Sequence, residues 1–108
     1  MIADYAHILE GCRRHDRRAQ RALYEAFAPM VMGVCMRYST DRDAAQDLLQ
    51  DSYVKVFESI NQVRDPERLK TWVYKVAVNE CLQRIRRQRP VVYADEVETD
   101  GVQLPLRA

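Results

Sequence analysis

Chain breakers are scarce here, with three Gly and four Pro among 108 residues. That scarcity favours long helices. No run of about 18 apolar residues occurs, so no segment is built to span a membrane. The N-terminus, MIADYAHILEGCRR, carries an early acid and no long apolar stretch, and does not read as a secretory signal. Cysteine is limited to Cys12, Cys35 and Cys81, with no CxxC and no nearby His pair, which argues against zinc. An odd, widely spaced set fits the reducing cytoplasm, with Cys35 and Cys81 acting as small buried apolar groups. His7 and His15 stand alone and read as surface residues. With no Ser/His/Asp or Cys/His constellation, metal set or phosphate loop, the chain does not read as an enzyme, and no cofactor is expected. No repeat or low-complexity tract is present.

What is there fits one domain, with 47% apolar residues to build a core. The net charge of +1 conceals a strong polarity along the chain. Residues 1–38 carry +2, 39–67 carry −4, 68–89 carry +6 and 90–108 carry −3. Such segregation suggests one basic and one acidic partner surface on a small body.

The residues predict four helices. Residues 2–11 form a short amphipathic one, with Ile2, Tyr5, Ile8 and Leu9 on one face and Gly11 as its stop. Asp16 caps a second helix running to about Tyr38, with an apolar stripe of Leu23, Phe27, Met30, Val34 and Tyr38, broadened by Ala26, Val31 and Cys35. Pro29 inside it predicts a kink or two abutting helices. The cluster Arg13, Arg14, Arg17, Arg18 and Arg21 reads first as solubilising charge, with a weak phosphate contact as the alternative. Thr40 is placed to cap a third helix over about 41–59, with Asp43 reaching back. Its core stripe is Ala44 or Ala45, Leu48, Leu49, Ser52, Val56 and Ile60. Its opposite face, with Asp47, Gln50, Asp51 and Val54, is either a solvated acidic surface or a dock for a basic partner. Nothing near these carboxylates would desolvate one into an acid/base catalyst.

The fourth helix, over residues 68–89, holds seven basic residues, one acid and the only Trp, and spans about 30 Å. Pro66 precedes it and Pro90 follows. Tyr74, Ala77, Val78, Cys81, Leu82 and Ile85 are predicted to face the core. Trp72, Val76, Asn79 and Gln83, flanked by Lys75 and Arg86, form the other face. A flat ring and amides framed by cations suit nucleic-acid bases and phosphates, although a plain solvated face with Trp72 folded inward fits equally well. Residues 91–108 have no helical period and four acids, and read as an acidic tail, disordered when alone.

Taken together, AQRALYEAFAPMVMGVCMRY (19–38), DRDAAQDLLQDSYVKVF (41–57) and LKTWVYKVAVNECLQRIRR (69–87) resemble region 2 of bacterial RNA polymerase sigma factors, most of all the extracytoplasmic-function (ECF) group. The resemblance implies an all-α fold: a compact bundle of three main helices plus a short N-terminal helix over residues 1–90. It implies a transcription initiation module that docks on core polymerase and helps melt and read the promoter −10 element on the non-template strand. DLLQD at 47–51 matches the motif that meets the clamp helices of the largest subunit, which implies Asp47, Gln50 and Asp51 as contacts, with Val54 beside them; Asp51 stands where Glu is more usual. The fourth helix and its preceding loop match the DNA-reading part. This implies Asn79 holding a flipped base, the 63–69 loop closing over it, and Trp72, Val76, Lys75, Gln83, Lys70, Arg68, Leu69 and Arg86 as DNA contacts. Lys70, Lys75, Arg84, Arg86 and Arg87 would carry the salt-sensitive phosphate contacts.

Leu69 replaces a common aromatic, and Gln83 replaces a frequent Asp. A second helical domain, region 4, is absent from this sequence, which reads as an excised region 2 with part of its linker or as a single-domain relative. The resemblance also allows an anti-sigma factor as partner, cytoplasmic residence, and a monomer when isolated. The alternative function is a helical interaction module that binds polymerase or a regulator without reading DNA.

Overall fold

Four aspartates start the helices. In the structure, a computed structural model describing residues 4–88, Asp4, Asp16 and Asp41 each accept a backbone N–H of the following first turn, at 3.1, 2.9 and 2.8 Å. Asp65 does the same for a short 3₁₀ turn, accepting from the Glu67 N–H at 3.0 Å. A carboxylate there satisfies an orphan donor and complements the positive helix end. The helices are α1 (Tyr5–Arg13), α2 (Arg17–Arg37), α3 (Arg42–Ser59) and α4 (Leu69–Gln88). Two 3₁₀ turns, Ile60–Gln62 and Pro66–Arg68, punctuate the loop between α3 and α4. The described residues thus form the expected all-α bundle of three main helices and a short N-terminal one. The acidic tail at 91–108 lies outside the described residues, as do Ile2 and Arg89.

The long α2 packs against each of the other three helices, and α3 also packs on α4. Leu23, Phe27, Val31 and Cys35 form the α2 part of the core; Leu48, Leu49, Tyr53 and Val56 come from α3, and Ile8, Leu9 and Cys12 from α1. From α4 come Leu69, Val73, Ala77 and Cys81, each 0% exposed.

Several local expectations are corrected. Gly11 does not stop α1, which continues to Arg13. The stop is made by His15, whose φ of 61° is left-handed. The Asp16 N–H then reaches the Gly11 carbonyl at 2.9 Å and the His15 N–H reaches that of Cys12 at 3.0 Å, a Schellman closure. Gly11 serves packing instead: a Cβ there would lie 2.3 Å from the Ala19 Cβ, so its bareness lets α1 approach α2. Asp41, not Thr40, caps α3. Pro29 is accommodated within α2, which is one helix from Arg17 to Arg37 rather than two. Tyr74 is not core but 39% exposed, because the buried seam of α4 is centred on Val73, about 100° around the helix. Tyr53, absent from the expected stripe, is buried and donates its hydroxyl to the Tyr24 carbonyl at 3.0 Å, with the two rings 4.6 Å apart. Burial pushes its phenol pKa up, so the donor stays protonated.

The loop entering α4 is held from below. Val63 and Leu69 are buried, and the Arg13 guanidinium of α1 donates to the Val63 carbonyl. Arg13 also meets Glu10 at 3.6 Å. One member of the N-terminal arginine cluster is therefore structural.

Two outcomes are expected. Gly11→Ala should lower stability to urea by about 1–3 kcal/mol through overpacking, despite the better helix propensity of Ala, and adding Ala19→Gly should recover part of the loss. Arg13→Ala should accelerate amide hydrogen exchange in residues 61–68 more than in α3; uniform acceleration across the chain would show that Arg13 does not act on the loop.

Candidate nucleic-acid interface

Packing α4 across the end of α3 leaves a groove of about 230 Å³. Its α4 wall is Trp72, Val76, Asn79, Glu80 and Gln83; the other wall is Lys55 and Ser59 of α3 with Gln62 of the following turn. Steps of four, three and four from Trp72 to Gln83 keep one line along the helix. Trp72 and Val76 are half-buried and pack on the core while also lining the groove. Asn79 is exposed, and Gln83 is half-buried.

The remaining residues expected at DNA separate into two kinds. Lys70, Lys75, Arg86 and Arg68 are exposed around α4 and its entrance, with Arg68 3.9 Å from Asp65. Leu69 differs. It is fully buried beneath the loop, so its side chain offers no surface to a strand; it is a core residue. The loop expected to close the pocket contributes none of residues 63–69 to the groove lining.

Lys55 and Ser59 lie on α3 and Gln62 in the turn after it, so no pattern within α4 signals them. Only tertiary packing sets them opposite Asn79. Glu80 stood out only as the lone acid of a basic helix. It is buried, with Arg87 4.0 Å away.

The acidic face of α3 lies apart from the groove lining. Asp47 and Gln50 are exposed, and Val54 is 55% exposed, an uncovered apolar spot among polar neighbours. Asp51 is half-buried and accepts from the Arg84 guanidinium of α4. Arg84 is thereby engaged within the fold, which corrects its assignment to phosphate contact.

The cysteines lie in the core as free thiols. A hydrogen bond to Cys35, and then burial, push the Cys81 thiol pKa up; burial and the nearby Asp16 carboxylate do the same for Cys12. Both are thus held away from the reactive thiolate. Among the described residues, no cluster of His, Cys, Asp or Glu is arranged to hold a metal, and no helix is long and apolar enough to cross a membrane.

Comparison with known proteins places both surfaces within one recognised domain. The Sigma-70 region 2 family matches residues 23–91, which takes in most of α2, all of α3 and α4, the groove and the acidic face. The RNA polymerase sigma-H factor of Pseudomonas aeruginosa is 27% identical over 85 residues, covering 77% of this chain and 44% of that protein. The ECF RNA polymerase sigma-E factor of Haemophilus influenzae is 29% identical over 105 residues, covering 93% of this chain and 55% of its own length. SigV of Bacillus subtilis is 34% identical over 59 residues, or 55% of this chain and 36% of SigV. The chain thus spans about half the length, or less, of these relatives. No solved structure gives a significant match. With the helical bundle, the DLLQD and AVN segments and a family match over most of its length, the chain belongs to the sigma-70 region 2 family, in its extracytoplasmic-function group.

Proposed function

We propose that this domain acts in transcription initiation as a two-sided adaptor, docking on core RNA polymerase through α3 and presenting the α4 groove to the single-stranded −10 element. The observation that carries the reading is the groove itself. It sets an aromatic face, Trp72, beside two amides, Asn79 and Gln83, with cations at its margins. Stacking on an aromatic tolerates any base, whereas amides pair with base edges and discriminate. Extruding a base costs a few kcal/mol, least where stacking is already lost. Lys70, Lys75 and Arg86, exposed and in no ion pair among the described residues, are placed to supply the backbone term.

For docking, Asp47, Gln50 and Val54 offer an acidic surface with an apolar centre to a basic partner, and the names of the relatives support polymerase as that partner. The role is non-catalytic and cytoplasmic. The second helical domain expected in full-length sigma factors would read the −35 element, and the acidic segment at 91–108 would lead toward it. An anti-sigma factor competing for these surfaces fits the same reading.

Binding of −10 single strands should weaken with salt, log K falling by about 0.7 per phosphate neutralised for each unit of log salt concentration. Asn79→Ala should erase about 1–3 kcal/mol of discrimination between bases at one position. Equal loss across all sequences would leave only bulk charge, and would favour the interaction-module alternative. Asp47→Arg should abolish core-polymerase binding with the helical circular dichroism signal intact; unchanged binding would remove α3 as the dock. Asp51 is the poorer site for that test, because its replacement also strands Arg84.

A further inference from the structure

Glu80 is an unusual lining for a groove meant to meet a polyanion. It is 8% exposed, yet it lines the groove beside Asn79. Among the described residues its ion-pair neighbour is Arg87, at 4.0 Å and on an exposed side chain. Lys55 lines the α3 wall without an ion pair to it. A carboxylate is an acceptor only, so it selects its guest by the donors that guest carries. It repels a phosphate, and so favours a base edge over the strand's backbone at this depth. The volume of about 230 Å³ is below the roughly 300–1,000 Å³ of drug-sized sites, a scale suited to one planar ring.

Trp72 stacks with any base. Asn79 reads the position it pairs with, but an amide with both a donor and an acceptor end leaves the choice at the neighbouring exocyclic group to its surroundings. Glu80 offers acceptors alone. Cytosine offers it an amine; thymine sets a carbonyl oxygen at the corresponding position, leaving two acceptors facing one another.

Resting on the promoter-strand reading above, we propose that Glu80 is a specificity-determining residue of the groove, accepting a hydrogen bond from the exocyclic amine of an unstacked base and so favouring cytosine over thymine. Lys55, from the other wall, offsets the charge that Glu80 places there.

The test uses the whole chain, with the fluorescence of its single Trp titrated against oligo(dC) and oligo(dT) of equal length at one salt concentration and pH 8. Oligo(dC) should bind about tenfold more tightly, within the discrimination of one good base-edge pair, and Glu80→Gln should bring the ratio to within about twofold while both strands still bind. Because that variant could disturb local packing, the wild-type chain is also titrated with an oligo(dC) analogue carrying 2-pyrimidinone bases, which lack only the amine. The analogue should bind as oligo(dT) does. Equal wild-type affinity for oligo(dC) and oligo(dT), a preference that survives in Glu80→Gln, or full affinity for the analogue would overturn the assignment of Glu80. Binding of neither strand overturns the promoter-strand reading itself, and the assignment with it.

Discussion

The rotation of α4 about its own axis is the constraint on which the rest of this domain depends. Leu69, Val73, Ala77 and Cys81 recur at steps of four, and each is wholly enclosed by the other helices. Interiors are packed at crystal-like density, so a seam of this kind admits one rotation and resists others. The small side chains of Ala77 and Cys81 form its C-terminal half. Once the seam is fixed, the residues one position earlier at Trp72 and Val76 must emerge beside it, with Asn79 and Gln83 continuing the line. The groove is therefore a consequence of core packing rather than an independent loop structure.

The other elements serve that placement. α2 runs through the centre and contacts every other helix. α1 lies close against it through the Gly11–Ala19 approach, and from there Arg13 reaches the loop that launches α4. The family match begins at residue 23, after α1, so this helix supports the loop and groove from outside the matched segment.

Much of this was legible in the sequence, because helical period and capping are local properties. The apolar stripes of α2 and α3 and the cap at Asp16 needed no tertiary information. The line Trp72, Val76, Asn79, Gln83 was also visible, being set by periodicity alone. The errors have physical causes. The helical wheel sets Tyr74 on one face with Ala77, Val78 and Cys81, whereas the buried seam passes through its neighbour Val73. Glycine so often ends a helix that Gly11 reads as a stop, but here its missing side chain serves a contact with Ala19. The family motif points Leu69 at the nucleic-acid strand, but the core encloses it. Lys55, Ser59 and Gln62 were out of reach, since no local rule sets the end of one helix against the middle of another.

The Asp51–Arg84 pair gives the two faces a shared term. Asp51 belongs to the DLLQD segment of α3, and Arg84 follows Gln83, the last groove residue of α4. A basic ligand on α3 that engages the Asp51 carboxylate must share it with this guanidinium or displace it. Displacement would return a cation to the helix that presents the groove. Free-energy coupling of this kind is reciprocal: whatever an occupied α3 does to affinity at α4, an occupied α4 does to affinity at α3. If both surfaces bind as proposed, this one ion pair between neighbouring helices would make occupancy of either a thermodynamic variable of the other.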